Sequence, residues 1–314
     1  MMRAWTGFKG SDWKYEINVR DFIQANYTPY ESDESFLVEA TENTKALTRI
    51  LKNYMEEERN NSGVYDVDTK NVSTILSHGP GYIDSKLEKI VGLQTETPLK
   101  RAIFPKSSLE ALEHALECYG YEMDSGIKEL YSKTIKTHNT AVLEAYTDEM
   151  KNAINAGIIT GLPQDYGRGR HIGDYRRIAL YGVERLIKEK INDLKSTYSI
   201  GSTDDVIQKR EELNAQVNAL KELIDMAESY GIDIRHPAEN AREAIQSIYF
   251  GLLAAAKQIN AVTISLGRTT AFVDIYIERD LKNGVIDEIE AQELIDHFIM
   301  KLRIIRFLRS PSYN

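Results

Sequence analysis

Arginine and glycine concentrate in residues 161–182, GLPQDYGRGRHIGDYRRIALYG, which hold five glycines and four arginines. Gly167 and Gly169 alternate with Arg168 and Arg170. Glycine lets the backbone come close to a ligand, and arginine presents a planar fork that can grip a carboxylate or phosphate with two hydrogen bonds. The loop also leads into a predicted helix, whose free N–H groups favour anions. The pattern predicts an anion-binding site. Spacing alone leaves open that the arginines pair with surplus acidic side chains and only fix a loop.

A second segment has the same character. The sequence SLGRTT at 265–270 follows a short β-branched run and places a glycine and an arginine before a predicted helix. The alternative is an ordinary strand-to-helix turn that Thr269 caps. Neither segment is a P-loop or a GxGxxG dinucleotide fingerprint, so a nucleotide site is not predicted.

Other residue types that could do chemistry are isolated. His78 lies between an apolar run and a glycine turn, where a histidine is more often a structural hydrogen-bonding group than a base. The remaining histidines have no ligand spacing, so the sequence predicts no metal site. The single cysteine, Cys118, lies in a helical pattern and is expected to be a packed, inert thiol.

Composition limits the class of protein. The chain has 314 residues, of which 42% are hydrophobic and 28% charged, as in a soluble globular protein. A net charge of -9 argues against a nucleic-acid or anionic-membrane surface, although it leaves room for a local anion site. The first residues lack the apolar core of a signal peptide, and no later stretch is long and apolar enough to span a bilayer. A cytoplasmic location is expected.

Helical periodicity dominates the elements that must position these residues. A continuous helix is predicted from Asp174, as N-cap, to Leu194, and another after Ser202 that Gly231 ends. The other predicted helices cover 35–58, 107–119, 125–136, 237–258, 271–282 and 287–307, and the predicted strands cover 72–78, 156–162 and 261–267. Few strands between long helical stretches indicate an α/β fold with predominant helix. The last fifteen residues, MKLRIIRFLRSPSYN, lack a closing strand, which indicates an incomplete chain.

Five segments together resemble one family. They read YGRGRHIGDYRRIALYG, NVRDFIQANYTPYESDESFL, KIVGLQTETPLKRAIFP, TTAFVDIYIERDLKNG and MKLRIIRFLRSPSYN. They are similar to the amino-terminal part of pyruvate formate-lyase (formate C-acetyltransferase), a glycyl-radical acyltransferase, over essentially the whole chain. The resemblance implies conversion of pyruvate and coenzyme A to acetyl-CoA and formate in anaerobic glucose fermentation. It also implies the ten-stranded glycyl-radical enzyme α/β barrel, of which residues 1–314 are an incomplete amino-terminal part.

The resemblance assigns roles to particular residues. Arg170 occupies the position that binds the pyruvate carboxylate, and the SLGR turn resembles a segment that lines the same pocket. The pocket-lining candidates are Val262, Thr263, Ser265 and Arg268. Val262 and Thr263 stand where the family usually carries two alanines, so added bulk is expected beside the substrate methyl group.

The resemblance also concerns cofactors and partners. The adjacent catalytic cysteines and the radical-bearing glycine correspond to positions beyond Asn314, so no catalytic residue is expected within this chain and the chain alone is expected to be inactive. Coenzyme A is implied as co-substrate, with no directly bound cofactor or metal. A radical-SAM activating enzyme and a homodimer are implied for the full-length family. The alternative, from a different class, is a non-catalytic helical scaffold that binds an anion or a partner.

Overall fold

Helices form most of the computed structural model, which describes residues 3–30, 34, 37–105, 109–134, 146–159, 171–259 and 264–311. In the amino-terminal half they are α1 (Asp12–Tyr15), α2 (Val19–Asn26), α3 (Glu42–Asn60), α4 (Leu109–Cys118), α5 (Ser125–Thr134) and α6 (Asp148–Asn155). In the carboxyl-terminal half they are α7 (Arg176–Tyr181), α8 (Val183–Ser196), α9 (Asp204–Ser229), α10 (Ala241–Gln258), α11 (Thr269–Lys282) and α12 (Glu288–Ile304).

The described strands form two parallel pairs. Strand β1 (Asp66–Val72) pairs with β2 (Lys100–Ile103), and β3 (His171–Ile172) pairs with β4 (Ile264–Ser265). Each pair joins segments far apart in sequence, because parallel strands need a long crossover connection. The prediction of an α/β fold with predominant helix is confirmed.

The core centres on α10, as its apolar composition predicts. Every residue from Ala244 through Ala254 is buried, so this helix is covered on all sides. An aromatic cluster attaches the amino terminus to α11: the Phe8 ring lies 5.0 Å from the ring of Tyr276, and Trp13 lies 4.9 Å from Phe22. Edge-to-face contacts of this kind add to the energy of burial.

The predicted continuous helix from Asp174 to Leu194 is wrong, because Gly182 divides it into α7 and α8. Gly182 has φ of 73°, a conformation that glycine adopts without steric cost. A Cβ at this position would lie 2.3 Å from the carbonyl oxygen of Arg235. The break therefore reflects a close approach by a distant backbone segment, which periodicity does not reveal.

Several observed strand boundaries also differ from the predicted ones. The predicted strand at 72–78 is wrong: the strand lies earlier, at 66–72, and turns follow it. Residues 156–159 form no strand, and 160–162 lie outside the described residues. Strand β4 falls within the predicted 261–267, whereas strands β2 and β3 and helices α1, α2 and α6 were not predicted.

Helices α3 and α10 begin next to the residues that cap them, later than the predicted starts. Helix α3 begins at Glu42, well after the predicted 35, because the Thr41 side chain accepts a hydrogen bond from the Thr44 N–H. Asn240 caps α10 in the same way, so this helix begins at Ala241, four residues after the predicted start at 237. Helix α12 ends at Ile304 and the chain continues without helix through 305–310.

The buried side chain of His297 connects α12 to α3 by a polar contact. The His297 side chain is 1% exposed, and its Nδ1 accepts a hydrogen bond of 2.9 Å from the Lys89 backbone N–H. Its Nε2 lies 3.3 Å from Thr44 Oγ1, and Glu293 and Lys89 form an ion pair beside it at 3.5 Å. The ring must be neutral to accept at Nδ1.

We expect His297 to make stability depend on pH. Burial lowers the pKa of His297 despite the nearby carboxylates of Glu293 and Asp296, with Lys89 and Lys301 acting in the same direction as burial. Histidine in an unfolded chain titrates near pH 6.5. The contribution of neutral His297 to the free energy of unfolding is therefore complete above about pH 6.5 and is lost as the pH falls below that value.

The measurement is the free energy of urea unfolding between about pH 5 and 7.5. His297→Gln should flatten the slope in the acidic range. The control His236→Gln should not, because the His236 side chain is 71% exposed. Equal slopes in the wild type and His297→Gln would show that His297 is not the titrating group.

Candidate functional site

The two glycine–arginine segments meet through the β3–β4 pair. His171 is the register partner of Ile264, and Ile172 is the partner of Ser265. His171 directly follows Arg170 in the sequence, and Ile264 directly follows Thr263. The predicted site residues Arg170, Val262 and Thr263 themselves lie outside the described residues.

Hydrogen bonds between residues two or three apart in sequence stabilise the turn after β4. The Gly267 N–H donates to Ser265 Oγ at 3.3 Å, and the Thr269 hydroxyl donates to the Leu266 carbonyl. Gly267 has φ of 65°, which permits the sharp change of direction into α11. Ser265 and Arg268 are exposed, so both predicted lining residues that the structure describes present their side chains to solvent.

Arg268 occupies the N-cap position of α11 without a side-chain capping bond. Thr269 is therefore the first helical residue and does not cap the helix. No acidic side chain among the described residues forms an ion pair with Arg268. A guanidinium beside the free N–H groups of a helix start provides a positive region that suits an anion.

The turn after β3 is held by a shared carboxylate. Asp174 Oδ1 lies 2.7 Å from Arg176 Nε, and Asp174 Oδ2 lies 3.6 Å from Arg177 Nε. The prediction that Asp174 caps the helix is wrong: Tyr175 occupies the N-cap position, and the Asp174 carboxylate binds arginines instead.

Small residues let this turn pack closely on the core. Tyr175 is 6% exposed, and burial raises its pKa to about 12, so the phenol stays protonated at neutral pH. A Cβ on Gly173 would lie 2.6 Å from the Tyr175 ring, and one on Gly251 of α10 would lie 2.4 Å from Ile178 Cδ1. The sequence gives no reason to single out Gly251, since only the fold shows which side chains approach it.

His78 is the structural hydrogen-bonding residue that its context predicts. Its ring is 4% exposed, and Nδ1 lies 2.9 Å from Glu96 Oε2. Burial alone would raise the pKa of Glu96, but hydrogen bonds from Lys100 and His78 outweigh burial and bring it to about 2. Behind this pair, burial lowers the pKa of Lys257 to about 8, and its ammonium donates to the His78 carbonyl at 3.4 Å.

Cys118 is exposed, so the prediction of a packed thiol is wrong. Helix α4 buries the face formed by Leu112, Ala115 and Leu116, and Cys118 lies off that face. Its Sγ lies 3.8 Å from Nε2 of His114, one helical turn earlier.

Metal-ligand clusters and membrane-spanning helices are both absent from the described ranges. No group of three or more His, Cys, Asp or Glu side chains in them could hold a metal ion. No helix in the same ranges is long and apolar enough to cross a bilayer. With Arg268 beside the free N–H groups at the start of α11, the β3–β4 region is best suited to bind an anion.

A family model and a related protein place this sequence in the same family. The sequence model of the pyruvate formate lyase-like family matches residues 8–314. The PFL-like enzyme TdcE of Escherichia coli (strain K12) is 51% identical over 315 residues, which cover 99% of this chain and 41% of TdcE. The chain thus spans about two fifths of the length of this relative.

Solved structures share the fold. The B12-independent glycerol dehydratase of Clostridium butyricum matches 90% of this chain and 42% of its own, with a TM-score of 0.63 and 20% identity. Hydroxyproline dehydratase of Clostridioides difficile matches 89% of this chain and 40% of its own, with a TM-score of 0.57 and 18% identity. At these identities the matches establish the fold, that of the amino-terminal part of the glycyl-radical enzyme barrel.

Proposed function

Because the chain belongs to the pyruvate formate lyase-like family of glycyl-radical enzymes, we propose that it is part of a formate C-acetyltransferase. The proposed reaction converts pyruvate and coenzyme A to acetyl-CoA and formate during anaerobic glucose fermentation in the cytoplasm. The 51% identity to a PFL-like enzyme favours an enzyme over a non-catalytic scaffold. The 18% and 20% identities to the dehydratases are too low to support dehydration.

One observation carries the proposal for the site. The parallel pairing of β3 with β4 sets the residue after Arg170 beside the residue after Thr263. This pairing supports a common pocket for the two glycine–arginine segments, with Val262, Thr263, Ser265 and Arg268 as proposed lining. Residue types and spacing predict two separate anion-binding segments, and only the family resemblance places them in the same pocket.

Arg170 is proposed to hold the pyruvate carboxylate. A guanidinium can form two parallel hydrogen bonds to the two carboxylate oxygens, which fixes both the position and the plane of that group. Cleavage of the bond between the carbonyl and carboxylate carbons needs the substrate held in one orientation, and such positioning can supply much of the rate enhancement. Alternating glycines leave room for the substrate beside the loop backbone.

The remaining chemistry is proposed to come from outside this sequence. A thiyl radical and an acyl thioester need an adjacent cysteine pair, whereas the sequence has one cysteine, which is exposed on α4. The glycyl radical, the cysteine pair, coenzyme A binding, activation by a radical-SAM enzyme and homodimer formation are proposed for the intact enzyme. The intact enzyme here means this sequence joined to the further length that its relatives carry.

The test is product stoichiometry in the activated intact enzyme. Pyruvate and coenzyme A should give acetyl-CoA and formate in equal amounts. Without coenzyme A, net formate release should stop once the active-site thiols are acetylated. Absence of both products in a preparation with a measured glycyl radical would reject the proposed reaction.

A further inference from the structure

Arg176 links the two turns of the candidate site. Its Nε lies 2.7 Å from Asp174 Oδ1 after β3, and its Nη1 donates to the Arg268 carbonyl oxygen at 3.5 Å after β4. A Cβ on Gly267 would lie 3.8 Å from both Cζ and Nη2 of Arg176, so a side chain at this position would contact the guanidinium. The side chain is 17% exposed, which is low for an arginine at a helix start.

Helix stability does not explain this placement. Arg176 and Arg177 stand in the first turn of α7, where the helix dipole disfavours positive charge. Asp174 offsets that repulsion for both arginines, yet only Arg176 reaches the turn after β4. Arg177 bonds the same carboxylate at 3.6 Å with a side chain that is 51% exposed.

The described part of the β3–β4 pair is short. Each strand contributes two described residues, so the described backbone hydrogen bonds between the strands are few. A guanidinium has separate donors for two acceptors in one plane, which a lysine ammonium does not reproduce in a fixed geometry.

We propose that Arg176, oriented by Asp174, is a positioning residue that fixes the turn 266–268 against the end of β3. By doing so it holds β3 beside β4, the two strands that directly follow Arg170 and Thr263 in the sequence. This inference rests on the proposed function only where substrate binding is concerned, since the link between the turns can be measured without activity.

The first experiment is hydrogen–deuterium exchange of the backbone amides at 264–268 in the intact enzyme. Arg176→Ala should speed their exchange about fivefold, the effect of losing about one net hydrogen bond. Arg177→Ala is the matched control, since it removes a neighbouring cation from the same carboxylate and should leave the rate unchanged. Asp174→Asn should give an intermediate increase.

The second experiment separates positioning from general stability. Arg176→Ala should raise the KM for pyruvate about fivefold with little change in kcat or Tm. The rise in KM should be smaller in Arg176→Lys than in Arg176→Ala. Millimolar guanidinium added to Arg176→Ala should reverse part of the rise. Arg177→Ala should show neither the loss nor the rescue.

Each outcome decides the proposal. Unchanged exchange in Arg176→Ala, or equal changes in Arg176→Ala and Arg177→Ala, would overturn the link between the turns. Faster exchange with unchanged KM, in an enzyme whose KM responds to Arg170→Lys, would overturn the positioning role. If Arg170→Lys itself leaves KM unchanged, the proposed carboxylate site fails, and exchange alone decides whether Arg176 links the turns.

Discussion

Replacing Arg170 with lysine should lower kcat/KM for pyruvate in the intact enzyme by about ten- to a hundredfold. Lysine keeps the positive charge but loses the second of two parallel hydrogen bonds to the carboxylate. A charge-assisted hydrogen bond in a site from which water is excluded contributes about 1.5–3 kcal/mol, which corresponds to that range of rate. The assay compares variants at equal glycyl-radical content.

Arg176→Lys is the matched comparison for this prediction. Lysine at 176 can still pair with Asp174, so the loss should be clearly smaller than at Arg170. Equal losses in the two variants, or no loss in Arg170→Lys, would mean that the loop arginines are structural and that the carboxylate is bound elsewhere.

A polypeptide of these 314 residues alone should show no formate-releasing activity. The acyl thioester and thiyl radical require two adjacent cysteines, and the sequence contains only Cys118. Cys118 is exposed on α4, a helix whose buried face packs in a hydrophobic cluster with β1 and β2, whereas the candidate site lies at β3 and β4. The single thiol is therefore not positioned to replace the missing pair.

The measurement for this prediction is label exchange between carbon-14 formate and pyruvate in the presence of the activating enzyme and S-adenosylmethionine. The intact enzyme serves as the positive control. Exchange above the level of a reaction without protein would show that these residues contain a catalytic centre of their own.

The helical part of the fold could be predicted from sequence because helix periodicity and capping are local. The long apolar helix α10 was placed within four residues of its observed start, and Gly231, with φ of 73°, follows the end of α9 as expected. The break at Gly182 was missed because its cause, the backbone of Arg235, is distant in sequence. The short strands β2 and β3 were missed because pairing with a remote partner, and not propensity, defines them.

Without the family resemblance, the candidate site could be predicted only in its residue types. Glycine and arginine in 161–182 and 265–270 indicated anion binding, but nothing in their spacing indicated that the two segments meet at β3 and β4. The role of Asp174 was assigned wrongly because an N-cap is the local use of an aspartate before a helix, whereas its partner Arg176 reaches a turn 92 residues away. The available signal was Arg176 itself, because a positive side chain in the first turn of a helix is disfavoured by the helix dipole and so indicates a partner outside the helix.

The proposed reaction is tested most directly by label exchange in the activated intact enzyme. Carbon-14 formate should enter the carboxyl group of pyruvate, and the rate should fall by about ten- to a hundredfold in Arg170→Lys at equal radical content. An enzyme that carries the glycyl radical but exchanges no label, and instead eliminates water from a diol or a hydroxylated amino acid, would contradict the account. Its site would then be that of a dehydratase, and Arg170 would not be a pyruvate-binding residue.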